Sequence, residues 1–424
     1  MLLLLLSTFI DYAFGLIIYK SQNNKKLYLW LSIANNLAIL CFFKYYNFFA
    51  ESAKESLGAF GFHVSPYILD IALPVGISFY TFHGMSYVFD VYRERIKPIS
   101  NFQEYAVFVS FFPLLVAGPI ERATHLLPQV QKRRTFDYSQ AVQGIRLMLW
   151  GFFKKIVIAD TLAITVDRVF SNYSDYSGST LLLISIYFAI QIYCDFSGYT
   201  DIALGTAKLF GFELLSNFKF PYFSRNIAEF WRRWHVSLSS WFRDYLYIPL
   251  GGSKNGKLKA VRNTFIIFLV SGFWHGANWT FILWGGVHAI LFIPLLLKNQ
   301  NRKFTSDVVA ADKLVPSRVE LMQMLTTFAM VTFAWIFFRS PNVSNAFDYI
   351  FRMLSDIFSK PSLLNQSIYV ILFILLDWVQ RDNERDVLRI KDRIVRNAFY
   401  FFLAAMIVFH FSFIENPQFI YFQF

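Results

Sequence analysis

Apolar runs long enough to cross a bilayer recur along almost the whole chain, separated by short polar loops. About twenty apolar residues span the hydrocarbon layer as a helix. By that measure the candidates are 2–19, 28–49, 66–89, 141–159, 179–197, 264–274 continuing through 279–297, 320–338, 365–380 and 397–414. Residues 105–120 and 200–215 are also apolar, but they are short and carry Pro or Gly. At membrane depth such pieces persist as re-entrant segments only where protein or a water-filled cavity covers their backbone. The pattern predicts an all-α polytopic protein of roughly nine to eleven spans, built as one membrane-embedded domain over 1–424. No internal repeat or low-complexity tract is visible. Polar positions collect in a linker, KNQNRKFTSDVVAADKLVPSR (298–318), and in RDNERDVLRIKDRIVR (381–396). The second mixes both charges at helical spacing and predicts a solvated surface helix.

One polar stretch stands apart. Between 217 and 262 there are nine Lys/Arg against two acids, Glu229 and Asp244, which places this face in the cytoplasm by the positive-inside rule. Within it Phe230, Trp231, Trp234, Leu238, Trp241, Phe242 and Tyr245 recur at helical spacing. That predicts an amphipathic helix with an aromatic stripe, lying at or dipping into the membrane and ended by Pro249, Gly251 and Gly252.

Composition agrees with the pattern. Hydrophobic residues make up 56% of the 424 and charged residues 16%, too apolar a balance for an ordinary soluble domain. Aromatics reach 20%, Phe alone numbering 51, more rings than a soluble core needs. The net charge of +12 sits in short loops, which fits orientation charge and anionic lipid better than nucleic acid. Cys41 and Cys194 both fall in apolar runs and are expected to be small buried hydrophobes; no Cys-x-x-Cys pair points to a metal. The opening MLLLLLSTFIDYAFGLIIY has no charged region before its leucines. It is therefore expected to be a retained helix, or the remainder of one, rather than a signal peptide.

Seven histidines remain as candidate chemistry: His63, His83, His125, His235, His275, His288 and His410. Polar side chains at membrane depth are costly and need a reason. His275 sits in LVSGFWHGANWTF between Gly272 and Gly276, where small neighbours let backbone or substrate approach the ring. His235 lies forty positions earlier on the basic aromatic segment. Two such imidazoles could line one tunnel, and imidazole suits deprotonating a hydroxyl that attacks a thioester. His288 and His83 read as structural, and His63, His125 and His410 offer nothing beyond background. No Gly-x-Ser-x-Gly elbow, phosphate-binding Gly-Lys-Ser/Thr loop or His-Glu-x-x-His helix occurs, which disfavours those chemistries. A lipid-linked sugar or polysaccharide transporter is the main alternative, though tandem repeats of spans are missing. A haem protein using His275 with His288 or His410 is another.

The runs NIAEFWRRWHVSLSSWFRDYLYIPLGG and SGFWHGANWTFILWGGVHA resemble the membrane-bound O-acyltransferase family. PVGISFYTFHGMSYVFDVYR, FPLLVAGPIER, IYCDFSGYTDIALG and the terminal FIYFQF extend the likeness over almost the whole chain. The closer likeness is to its bacterial branch of alginate and peptidoglycan O-acetyltransferases and the teichoic-acid D-alanine exporter, whose members usually begin with further hydrophobic segments. The resemblance implies a ring-like helical bundle around a tunnel between two funnels, with His275 at the family's catalytic histidine position and His235 at its second polar position. It implies transfer of an acetyl group from a cytoplasmic thioester, acetyl-CoA or another, to a hydroxyl of a cell-envelope polysaccharide, with no bound cofactor or metal. It also implies a place in the bacterial cytoplasmic membrane and an extracytoplasmic SGNH-type acetyltransferase partner. Arg232, Trp234, Arg243, Trp274 and Asn278 become candidate substrate contacts, the two arginines as phosphate-attracting groups. Tyr421, in FIYFQF, becomes a candidate acyl relay. The matching Pro119, Glu121, Arg122, Asp195, Asp201 and Asp244 are expected to be structural at least as much as catalytic.

Overall fold

The apolar runs fold as helices in the computed structural model, which describes residues 2–412 apart from 255, 306, 307, 312 and 384. No strand occurs among the described residues. The chain divides into two units, Met1–Thr135 and Phe136–Phe424. Among the described residues, six helical segments are long and apolar enough to cross a membrane.

The first unit holds α1 (Leu2–Lys20), α2 (Lys25–Leu40), α3 (Tyr46–Ala59), α4 (Ile77–Tyr92), α5 (Phe102–Val109) and α6 (Ala123–Gln131). The span expected at 66–89 is helical only from Ile77. Its N-cap Gly76 has φ +75°, and a Cβ there would collide with the Leu115 carbonyl. Several buried polar groups inside this unit are paired: Asp11 accepts from Ser32 Oγ at 3.0 Å and Asn36 Nδ2 at 2.7 Å. His83 Nε2 accepts from the Glu121 N–H at 3.2 Å. That engagement agrees with a structural histidine. Glu121 is fully buried and takes His125 Nδ1 at 2.8 Å. The short 105–120 region is α5 followed by a tight turn at Phe112–Leu114.

The second unit begins with α7 (Tyr138–Phe152), which runs through a π-helical stretch, Phe153–Ala159, into α8 (Asp160–Ser171). Then come α9 (Gly178–Leu209), α10 (Ile227–Arg233), α11 (Val236–Phe242), α12 (Lys257–His275), α13 (Trp279–Leu297), α14 (Arg318–Arg339), α15 (Val343–Ser355), α16 (Ser367–Val379) and α17 (Arg393–Phe411). The most enclosed of the spanning helices is α9, and it absorbs much of the 200–215 region that was expected to be re-entrant. Glycines let α7 lie directly on it, for Gly144 faces the Gly205 carbonyl and Gly151 the Gly198 carbonyl. Burial then demands partners for the charges at this seam. Lys154 meets Asp201 at 2.7 Å, and Lys155 meets both Asp160 and Asp195 at 2.6 Å.

Two other expectations need correction. The described residues of the 381–396 stretch are turns and loop up to Asp392, with helix starting only at Arg393. Arg381 there donates to the carbonyls of Val309, Ala310, Lys313 and Trp378, so it ties loops together instead of extending a surface helix. Cys194 is buried as expected, but Cys41 lies on the surface.

Candidate active site

The basic aromatic segment is not one helix. It is broken between α10 and α11 at His235, which has φ +44° and ψ +52°. A left-handed residue cannot continue a right-handed helix, so the chain turns there and carries the imidazole inward until it is fully buried. Residues 217–219 brace the break from both sides: the Val236 N–H donates to the Asn217 carbonyl at 2.9 Å, and the Lys219 N–H to the Arg233 carbonyl at 2.9 Å. The aromatic stripe is corrected at the same time. Phe230, Trp234, Leu238, Trp241, Phe242 and Tyr245 are all buried, so these rings form the core instead of a membrane-facing surface.

His275 ends α12, and α13 starts four residues later. The intervening turn makes α12 and α13 an antiparallel hairpin, with Gly272 against the Phe281 carbonyl and Gly285 against the Phe268 carbonyl. This close seam holds His275 in an aromatic cage. Its ring centroid lies 4.9 Å from Trp274, 5.2 Å from Trp284 and 5.4 Å from Phe338.

The two histidines come together. Their ring centroids are 6.3 Å apart, and Trp274 touches both, at 4.9 Å from His275 and 6.0 Å from His235. His235 Nδ1 is 2.9 Å from Asn217 Oδ1. The Ser237 hydroxyl also donates to that oxygen at 2.9 Å, while Asn217 Nδ2 donates to Thr200 Oγ1 at 3.4 Å. Among the described residues nothing bonds His235 Nε2, although it is buried.

Neither histidine lines the nearby cavity of about 480 Å³, but their neighbours do. Its wall includes Val236, which follows His235, and Ser271, one helical turn before His275. The lining is mostly apolar, with Trp231, Phe242, Phe268 and Phe292, but Arg232, Arg243 and Arg302 contribute to it. Arg232 donates to the carbonyls of Asn301 and Lys303, both at 2.7 Å, which fastens the 298–318 linker beside the cavity. Arg243 is more exposed and pairs with Asp244 at 2.7 Å.

The other anticipated contacts lie elsewhere. Trp234 packs among Tyr193, Phe218, Phe230 and Trp335 and does not line the cavity. Asn278 caps α13, accepting from the Thr280 N–H at 3.0 Å and donating to the Pro341 carbonyl at 2.8 Å. Tyr421 lies outside the described residues. His288 is a packing residue whose Nδ1 accepts from Trp231 Nε1 at 3.3 Å. His410 bonds the Met406 carbonyl and the Tyr369 hydroxyl. The residues that sequence reading missed are Asn217, outside the family-like runs, and Ser237 and Thr200, which lie inside two of them but were not singled out.

Comparison with known proteins points the same way. The model of the membrane-bound O-acyltransferase family matches residues 6–333. A probable alginate O-acetylase, AlgI, of Pseudomonas putida is 41% identical over 318 residues, covering 74% of this chain and 62% of that protein. A peptidoglycan O-acetyltransferase of Helicobacter pylori is 36% identical over 81% of this chain and 68% of its own length. A teichoic acid D-alanyltransferase of Bacillus subtilis is 30% identical over 62% of this chain and 68% of its own length. The chain spans between 58% and 63% of the length of the first four alginate O-acetylases it matches. With a family match over more than half its residues and helices long enough to span a bilayer, this multi-pass membrane protein belongs to the membrane-bound O-acyltransferase family.

Proposed function

We propose that the protein is a membrane O-acetyltransferase component that moves an acetyl group from a cytoplasmic thioester toward a hydroxyl of a cell-envelope polysaccharide. The observation that carries this reading is the buried His235–His275 pair, 6.3 Å between ring centroids, whose neighbours Val236 and Ser271 line an apolar cavity with arginines in its wall. In this reading the cavity receives the acyl-bearing arm of acetyl-CoA or a related thioester. Arg232 and Arg243 favour the phosphates of its carrier. His275 takes the proton of the attacking hydroxyl, the oxygen adds to the thioester carbonyl, the C–S bond breaks, and the proton passes to the departing sulfur. His235 assists as a second proton acceptor in the same dry site, where fixed polar groups act strongly.

The alginate and peptidoglycan relatives support a glycan as final acceptor; in this reading the place of action is the bacterial cytoplasmic membrane. A family tunnel between the two membrane faces would pass the small acetyl group while its bulky donor stays behind. An extracytoplasmic SGNH-type transferase completes delivery, with Tyr421 as the acyl relay. The experiment is to supply inverted membrane vesicles with acetyl-CoA labelled in the acetyl group and follow label captured inside. Histidine-dependent capture with release of free thiol supports acyl transfer. Passage of an intact sugar carrier, with no thiol released, supports the transporter reading.

A further inference from the structure

The segment 215–219 bears no catalytic motif, yet it supplies the side chain in closest polar contact with the histidine pair. A carboxamide oxygen only accepts hydrogen bonds. Asn217 Oδ1 therefore requires that the His235 nitrogen 2.9 Å away be its N–H donor. The amide is set with its oxygen toward His235 and its nitrogen toward α9. Ser237 Oγ donates to the same oxygen, and the amide nitrogen is turned to Thr200 on α9. The Asn217 backbone carbonyl also holds Val236 directly after the left-handed residue. One residue thus sets both where the His235 ring lies and which of its nitrogens carries hydrogen.

With Nδ1 protonated and a neutral amide facing it, nothing there favours a second proton, and Nε2 keeps its lone pair. Were Nε2 to carry the hydrogen instead, a buried donor would be left without a protein acceptor, a costly arrangement. We infer that Asn217 is a positioning residue for acyl transfer, fixing the tautomer of His235 so that its Nε2 lone pair serves the reacting hydroxyl.

The surroundings leave this pairing as the electrostatic control. α9 presents Phe196, whose ring centroid is 4.7 Å from that of His235; the 217–219 segment presents Phe218; α12 presents Trp274 and the titratable His275. A carboxylate in place of the amide would stabilise the imidazolium. His235 would then bind its proton more tightly, and a reaction needing the neutral ring would lose activity at a higher pH on the acid side.

This inference rests on the acyl-transfer reading, so the test carries its own control. Full-length wild type, His275→Ala, Asn217→Asp and Asn217→Leu are reconstituted in nanodiscs, and thiol release from acetyl-CoA is followed across pH with a pH-tolerant disulfide reagent. Asn217→Asp is expected to retain activity within about tenfold, with its acid limb moved up by about one pH unit. Asn217→Leu is expected to lose about 10–100-fold in kcat with little change in KM, by analogy with lost orienting bonds at other imidazoles. An Asn217→Asp limb coinciding with wild type overturns the positioning role, as does wild-type kcat in Asn217→Leu. Should Asn217→Leu fail to accumulate, the Asn217→Asp limb decides alone. If wild type releases no more thiol than His275→Ala, the acyl-transfer reading itself falls and takes the inference with it.

Discussion

His235 and His275 stand forty positions apart in the chain and 6.3 Å apart between ring centroids in the fold. Two different local devices bring them there. His235 is turned inward by a left-handed break between two short helices. His275 is held at the end of a helix whose Gly272, with Gly285 of the next helix, lets the two pack tightly. The site thus depends on backbone geometry as much as on its imidazoles, and its supporting residues can be tested separately from its chemistry.

The α12–α13 seam should tolerate no side chain. A Cβ at Gly272 would run into the Phe281 carbonyl, and backbone cannot move aside as a flexible side chain can. Gly272→Val is expected to cost about 1–3 kcal/mol, the usual range for overpacking, and to lower activity by displacing His275. Thermal unfolding in detergent, beside activity at equal protein amount, checks it. Gly286, whose added Cβ would meet only a Leu269 methyl at 3.8 Å, is the tolerant comparison.

Lys155 is the cation between Asp160 and Asp195, 2.6 Å from each. Lys155→Met leaves two buried carboxylates without it, and is expected to destabilise by about 3–5 kcal/mol. Adding Asp195→Asn to that variant should recover part of the loss. A double-mutant cycle on melting in detergent measures both effects; equal melting of the single variant and wild type would remove this network from the account of stability.

Arg243 lines the cavity while keeping much of its side chain in solvent. If it attracts the donor's phosphates, Arg243→Gln should raise KM for acetyl-CoA about 3–10-fold and leave kcat nearly unchanged, the signature of lost uniform binding. The wild-type KM should also rise with salt while the variant's rises less. Unchanged KM at low salt would remove Arg243 from donor recognition.

Tyr421 gives a prediction that depends on chemistry alone, since phenylalanine keeps its apolar bulk. Tyr421→Phe should release thiol from acetyl-CoA at a reduced rate and abolish delivery of acetate to the glycan. Undiminished glycan acetylation in that variant would leave Tyr421 an interfacial anchor.

Much of this was legible in the sequence. Uninterrupted apolar runs gave the helical membrane architecture, and Gly272 with Gly276 flagged His275 as a place of close approach. The break at His235 was not legible, because aromatic residues at helical spacing continue across Trp234 and read as one amphipathic helix. Their orientation was hidden for a related reason: in a chain with 20% aromatic residues, a ring facing lipid and a ring in the core look alike. The span pattern also blurred where a π-helical stretch joins α7 to α8, since two helices and one long one have the same hydropathy. Asn217 was beyond reach altogether. Its role comes from a contact across eighteen positions that include all of α10, and no local signal marks it.

The most direct measurement is base-labile acetate on envelope polysaccharide from host cells carrying wild type or His275→Ala at equal membrane abundance. The account predicts that the acetate present with wild type is lost in the variant, while the amount of polysaccharide stays the same. Unchanged acetate in His275→Ala would contradict it, removing His275 as the base and returning the protein to the transporter reading.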